Sequence, residues 1–431
     1  MKKMKLSSLI AGLFGLVALI VVAASPAQAA FVVGGEQGWQ MSFDGMINAF
    51  MVYSMTETKP FAGNRNGLLT IGQDLDADLG PKQESQVFRV RTGLLPSIFA
   101  FNVKSPTING VDYGARIGLY PQIQNATTRT GFGPDTLGDP LVAGSRIDIR
   151  EVFFTADSCY GQLLAGRALN LYQGKNILTD MTLIGVGVPA AEVIGGGTTL
   201  GHIGYGYLYP TFNSQFRYTT PDYKGLKWAL SINDPSQIAN QSDLTTEPGY
   251  IANKTNQPRF ETELSYASKL SFGDLSAWVS GLYQQAKNST DNHNVFSIGG
   301  AGGAQLGIGP VGLMVSGYGG QALGSTFLQD IDALDSTGEE RTQYGGLAQV
   351  TYTLGKAKLG VNYGINYSAQ TDAEEGNGTI LKSQQAATGG VYYGVNKYLT
   401  VVGEYTWARN SWYDGLSQDV NAISLGTVFV W

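Results

Sequence analysis

Along residues 358–367 apolar and polar positions alternate without a break. Leu359, Val361, Tyr363, Ile365 and Tyr367 fall on one face, and Lys358, Gly360, Asn362, Gly364 and Asn366 on the other. A period of two marks a strand with two unlike faces. The same pattern opens the regular part of the chain. In WQMSFDGMINAFMVY, Phe43, Ile47, Ala49, Met51 and Tyr53 share a face opposite Ser42, Asp44 and Asn48. It also ends the chain, where Ile423, Leu425, Phe429 and Trp431 share one side of AISLGTVFVW.

Between these ends, strand follows strand. Short turns are predicted at 105–110, 158–161, 221–225, 270–274, 307–312, 354–357 and 394–398. Longer, more polar connections run near 56–84, 125–144, 168–201, 234–257, 287–293, 321–340, 370–383 and 409–419. Seven short turns alternating with eight long connections predict 16 antiparallel strands. Short turns on one side, long loops on the other and an even strand number are the pattern of a transmembrane barrel. Sixteen strands also leave an aqueous channel instead of a filled core. Such a sheet has to close, because an open edge would leave backbone groups unpaired in hydrocarbon. The predicted fold is all-β, a 16-stranded antiparallel transmembrane β-barrel, with its third long loop folded inward.

That loop belongs to the stretch 145–201. SRIDIREVFFTADS predicts a strand, with Arg146, Asp148 and Arg150 on one face and Ile147, Ile149 and Phe153 on the other. Glu151 interrupts the apolar face, which predicts a subunit contact or a bulge there. A turn at Cys159-Tyr160-Gly161 leads to QLLAGR, and then to a long, largely apolar loop through residue 201. Charges inward and apolar groups outward suit a wall between lipid and water. The loop is expected to enter the barrel and narrow it. The competing reading lays the apolar run ILTDMTLIGVGVPAA over the outside of the wall.

The chain begins with MKKMK, an apolar run and an A-x-A site at Ala27-Gln28-Ala29. This is the layout of a secretory signal peptide, and Pro26 argues against a retained helix. Residues 1–29 are set apart as a signal peptide and 30–431 as a single barrel domain. Losing Lys2, Lys3 and Lys5 takes the basic count from 28 to 25, against 34 acidic residues, a net charge of −9. That balance excludes nucleic acid as a partner. Charged residues are only 14% of the chain, well below the roughly 25% of soluble domains. The 58 glycines and 23 tyrosines suit closely spaced strands and aromatic girdles at two membrane interfaces. Cys159 is the single cysteine, which excludes an internal disulfide framework.

Several passages resemble the general porins of Gram-negative outer membranes. Ile149 to Phe154 followed by GQLLAGR looks like the strand pair before that family's inward third loop. NSQFRYTTPDYKGL, from Asn213 to Leu226, is similar to the strand and turn after it. The terminal Val428-Phe429-Val430-Trp431 is similar to the family's C-terminal assembly signal, with Trp431 where phenylalanine is usual. The loop departs from the family in lacking a PEFGG-type run. The resemblance implies a homotrimer in outer-membrane lipid, assembled by the barrel assembly machinery with Phe429 and Trp431 as its signal. It implies passive diffusion of small hydrophilic solutes and ions, no cofactor and no catalysis. It further implies loop acids facing wall arginines across a constriction. Mapped by motif, the wall arginines are Arg167 before the loop, Arg217 after it and Arg150 on the preceding strand. Alternation adds Arg89, Arg91 and Arg116, and the loop offers Lys175, Asp180 and Glu192.

Other motifs carry less. The acids in QDLDAD at 73–78 lack the glycine and closing glutamate of a calcium loop and are read as solvated. Asp330, Asp332 and Asp335 are read the same way. The glycine clusters at 299–303 and 317–320 have no Lys-Ser/Thr after them, so they are not nucleotide loops; they suit a crowded barrel interior. His202 and His293 form no triad or metal-ligand spacing. The functional alternatives are a substrate-selective channel, or a barrel serving as an adhesin or as the scaffold of an electron conduit.

Overall fold

A computed structural model describes residues 31–57, 85–124, 147–189, 198–240, 249–329 and 332–431. Twenty strands are found among them. The first eleven are β1 (Phe31–Gly34), β2 (Gln40–Thr56), β3 (Ser85–Arg91), β4 (Ile98–Lys104), β5 (Asp112–Pro121), β6 (Ile147–Ser158), β7 (Gly161–Leu169), β8 (Phe212–Thr219), β9 (Leu226–Asn233), β10 (Ile238–Asn240) and β11 (Tyr250–Lys254). There follow β12 (Arg259–Leu270), β13 (Gly273–Asn288), β14 (Asn294–Ile308), β15 (Val311–Gln321), β16 (Thr342–Leu354), β17 (Ala357–Ser368), β18 (Leu381–Gly394), β19 (Leu399–Trp412) and β20 (Ser417–Val430).

All belong to one sheet, and each wall strand pairs antiparallel with its neighbours. Both β3 and β4 pair with β2, against 50–56 and 40–46 respectively, so they are two halves of one wall strand. The β10–β11 hairpin extends the connection between β9 and β12, which pair directly. The short β1 lies along β2 beyond the end of β20. Sixteen wall strands remain, and β20 pairs with β2 to close the barrel. The seven short connections, at 105–111, 159–160, 220–225, 271–272, 309–310, 355–356 and 395–398, fall where the alternation places them.

The two faces differ as the pattern requires. Val361 is 62% exposed and its neighbour Asn362 only 1%. Ile47, Met51, Ile423, Leu425 and Phe429 stand outward, while Asn48, Phe50, Ser424 and Val428 are buried inside. Outward tyrosines gather near the short turns, among them Tyr113, Tyr218, Tyr266, Tyr352 and Tyr393, as in an interfacial girdle.

Two local departures matter. Opposite β5 the register of β6 shifts: Gly118 faces Glu151 but Leu119 faces Ile149, so Arg150 is an extra residue. A β-bulge of this kind breaks the two-residue parity. Arg150 and Glu151 therefore both point inward, and Phe153, expected on the outer face, pairs with inward Arg116 and Gly166 instead. The second departure is the gap 92–97 between β3 and β4, which contains Pro96, a residue with no N–H for a ladder.

The acids near 330 also differ from expectation. Asp332 and Asp335 are buried, not solvated. Asp332 pairs with Arg341 at 3.2 Å, and Arg341 also binds Glu374. Asp335 accepts from the amides of Thr337 and Glu339 and from the Thr371 hydroxyl. Two long connections are thereby tied together. Residues 73–78 and Asp330 lie outside the described residues, as does the signal-peptide segment 1–29.

The seam ends at Trp431. Its backbone exchanges two hydrogen bonds with Gly45, and its ring lies 5.9 Å from Phe99 and 5.8 Å from Phe429. A Cβ on Gly45 would lie 2.3 Å from the indole. Gly45→Ala is expected to destabilise the closed barrel by about 1–3 kcal/mol, the usual penalty of overpacking. Trp431→Phe removes the clashing ring atoms but leaves the Ile98 carbonyl oxygen 2.7 Å from the methyl, so it should restore only part of that loss. Heat-modifiable migration of the two single variants and the double variant on gels reads the effect.

Candidate functional site

The described parts of the connection 170–211, residues 170–189 and 198–211, form an irregular chain lying against the inner wall. It holds the short helix α1 (Gly174–Thr179) and a 3-10 turn (Met181–Ile184). Ile177, Leu183, Val188, Leu200, Ile203, Tyr205 and Tyr207 form one core with Trp278, Met314, Leu347, Ala386, Ala408 and Val420 of β13, β15, β16 and β18–β20. An irregular backbone buried this way needs partners for its polar groups. Inward wall side chains supply them. Glu261 of β12 accepts from the amides of Leu171 and Tyr172 at 2.8 and 2.9 Å. Gln349 of β16 accepts from Met181, and Asn366 of β17 from Gly206. Glu404 of β19 accepts from Val186 and Gly187. His202 contacts the Tyr205 carbonyl and Thr388 of β18 with its ring nitrogens.

Wall glycines make room for this chain. A Cβ on Gly364 would lie 1.9 Å from the Tyr205 carbonyl oxygen, and one on Gly360 2.5 Å from the Met181 sulfur. One on Gly299, in the first glycine cluster, would lie 2.5 Å from the Tyr172 hydroxyl. At its far end the segment meets the gap between β3 and β4. The Leu94 amide donates to the Gly185 carbonyl and the Thr199 amide to that of Gly93. The apolar run 177–189 is thus inside the barrel as far as it is described, against the reading that places it outside.

The inserted chain covers the inner face from β12 round to the β3–β4 gap. The arc β3–β8 lies opposite it and carries most of the inward arginines of the described wall; Arg259 of β12 is buried in a pair with Glu261 at 3.0 Å. Arg89 and Arg91 pair in register with inward Val52 and Phe50. Arg116 of β5 bonds Asp44 at 2.9 Å and Glu151 at 2.7 Å, and Tyr120 bonds the same Glu151. Arg150 bonds Asp148 at 2.6 Å, reaches the Tyr209 hydroxyl at 3.3 Å, and stacks near the rings of Tyr120 and Phe212. Arg217 of β8 donates to Gln215 and to the Leu169 carbonyl. Lys175 on α1 is 3.7 Å from Glu263 of β12.

Two expected site residues are elsewhere. Arg167 pairs in register with outward Val152 and with Ser214, so it stands exposed on the outer face. The reason is parity: Leu164 and Gly166 point inward, and Arg167 is one residue further on. Asp180 does not face the arginines. It is fully buried and accepts from the Thr182 amide and hydroxyl, the Tyr207 hydroxyl and Asn362. It organises the loop from within through neutral donors. Glu192 lies outside the described residues. Sequence reasoning missed Glu261 and Glu404 as anchors of the segment. The signal for Glu404 was a carboxylate at an inward position of an otherwise neutral strand face, whereas Glu261 shares its face with Arg259 and Glu263 and reads as a wall ion pair.

A comparison with curated proteins found no match. Among solved structures, the outer-membrane channel DcaP of Acinetobacter baumannii aligns at a TM-score of 0.64 and 15% identity, over 93% of this chain and 100% of that one. The anion-selective porin from Comamonas acidovorans aligns at 0.57 and 12%, over 91% and 100%. OmpT, an outer membrane protein of Vibrio cholerae, aligns in its trimer form at 0.51 and 11%, over 92% and 100%. At these identities the likeness is one of fold. The sequence itself matches the model of the Gram-negative porin family over residues 15–412. A closed sixteen-stranded barrel and a family match over nearly the whole chain give one conclusion: the chain belongs to the Gram-negative porins, outer-membrane channels for passive diffusion of small hydrophilic solutes.

Proposed function

We propose that this porin is a non-catalytic, homotrimeric channel whose constriction lies between the inserted segment 170–211 and the arginine arc β3–β8, and that it favours anions. The charge arrangement carries the reading. At this level the carboxylates Glu151, Asp180, Glu261, Glu263 and Glu404 are buried. Asp44 is held by Arg116, and the more open Asp148 by Arg150. Arg89, Arg150, Arg217 and Lys175 keep part of their surface open, and Arg91 and Arg116 stand behind them. Rings of one charge sign set ion preference in a pore. The Comamonas acidovorans neighbour is anion-selective on the same wall architecture. The trimer form of the OmpT neighbour supports a homotrimer, with the outward faces of β2 and β20 as contact. Residues 1–29 are read as a cleaved signal, and Phe429 and Trp431 as the signal to the assembly machinery that inserts the barrel into outer-membrane lipid.

The mechanism follows from elementary electrostatics. A unit charge about 6 Å from an ion in water is worth about 0.7 kcal/mol, roughly three-fold in local concentration. Several such charges on one arc multiply, while salt weakens them over a Debye length of about 8 Å at physiological strength. Solute size is limited by the space between the inserted segment and the arc, and no binding or chemistry is needed for passage.

Replacing Arg150 and Arg217 by glutamine should lower the anion-to-cation permeability ratio roughly ten-fold in dilute salt, and far less in 1 M salt. Arg167→Gln, on the outer face, should leave the ratio unchanged. Reversal potentials across a planar bilayer in a salt gradient measure both. An unchanged ratio in the double variant, or a shift with Arg167→Gln, contradicts the reading. Deleting residues 429–431 should abolish insertion, seen as loss of the heat-modifiable form.

A further inference from the structure

We propose that residues 185–187 act as a pin that sets the width of the constriction, gripped by Glu404 on one side and by the broken wall strand on the other. The inference rests on the reading that segment 170–211 narrows the channel. It adds the positioning residues that fix where the segment stands.

The geometry is compact. The amides of Val186 and Gly187 both donate to one Glu404 oxygen, at 2.8 and 2.9 Å. The other Glu404 oxygen accepts from the Tyr392 hydroxyl at 2.6 Å, which orients the carboxylate. On the opposite side the Gly185 carbonyl accepts from the Leu94 amide at 2.9 Å. Leu94 is available only because the wall strand is broken at 92–97, where its amide is released from the ladder.

Asn48 of β2 repairs that break. Its side chain accepts from the Gly93 amide at 2.8 Å and donates to the Leu95 carbonyl at 2.9 Å, in place of the missing backbone partners. The returning chain locks the same point: Gly201 donates to the Val186 carbonyl, Val188 to the Gly201 carbonyl, and Thr199 to the Gly93 carbonyl. Residues 185–187 thus bond to β19, to the β3–β4 gap and to their own return stretch. They stand at the far end of the segment from β7 and β8, where it closes against the arginine-bearing wall.

Gly185 gives the sharpest test. A Cβ there would lie 1.9 Å from a Glu404 carboxylate oxygen. Its φ of −119° is outside the left-handed region, so the obstacle is the carboxylate itself. Ordinary contact is about 3.5 Å, so an added methyl has to part the Glu404 carboxylate and the segment by on the order of 1.5 Å, either by turning the carboxylate out of its bonds to Val186, Gly187 and Tyr392 or by moving the segment off β19. Gly185→Ala should move single-channel conductance and the size of the largest polyethylene glycol that enters away from the parental values. Glu404→Ala should loosen the segment and raise open-channel current noise. Glu404→Gln keeps an acceptor oxygen and should stay close to the parent.

All are measured on the full-length channel in planar bilayers, after folded barrels are confirmed by heat-modifiable migration. If Gly185→Ala does not fold, Tyr392→Phe, which removes one donor and adds no bulk, should still raise the noise. Folded Gly185→Ala and Glu404→Ala channels with parental conductance, size limit and noise overturn the pin. Reversal potentials separate the two claims. If these variants behave as the parent while Arg150 and Arg217 substitutions shift selectivity, the pin alone is wrong. If neither set has an effect, the segment is not at the constriction.

Discussion

An irregular chain buried inside a barrel has to find a partner for each of its backbone amides, and much of this structure answers that demand. The sixteen wall strands satisfy one another. Among its described residues the segment 170–211 forms no strand, so inward side chains of the wall act as partners for its backbone. Glu261, Gln349, Asn366 and Glu404 each accept from its backbone, and wall glycines at 299, 360 and 364 let it approach. The outer face has no share in this.

Function follows from how unevenly that support is distributed. The acceptors lie on β12, β16, β17 and β19, so the segment is drawn to that half of the barrel. The arc from β3 to β8 carries arginines in their place, which donate and cannot accept from backbone amides; Arg217 donates to the Leu169 carbonyl instead. On the proposed reading the channel runs between an apolar, internally bonded segment and a cationic wall. Carboxylates used to hold the segment are buried by it, which removes them from the permeation path. On the proposed reading anchoring and selectivity are linked, because the carboxylates that hold the segment are buried while Arg89, Arg150 and Arg217 keep part of their surface open.

Strand number, the places of the seven short turns and the outward apolar faces were legible because each rests on a period of two that the barrel enforces along every strand. The pattern failed where that period is broken. At Arg150 an extra residue turns both Arg150 and Glu151 inward, and Phe153 changes face with them. Arg167 was assigned by motif although its parity opposes Leu164. The gap at 92–97 left only Pro96 as a trace. Asp180 looked like an ion-pair partner, yet a buried carboxylate is equally satisfied by neutral donors, and Tyr207, Thr182 and Asn362 come from parts of the chain that local sequence does not bring together.

The central claim is that the aqueous path runs along the arginine arc and that the opposite inner wall is sealed by the segment. Cysteine accessibility tests it directly. In a Cys159→Ser background, since Cys159 is exposed, Arg217→Cys and Asn362→Cys are each treated with a membrane-impermeant anionic thiosulfonate while current is recorded. Both positions face inward, but Asn362 lies beneath Asp180. The account predicts rapid modification and loss of current for Arg217→Cys and none for Asn362→Cys. Modification of Asn362→Cys with Arg217→Cys protected would place the path on the other side of the segment and contradict it.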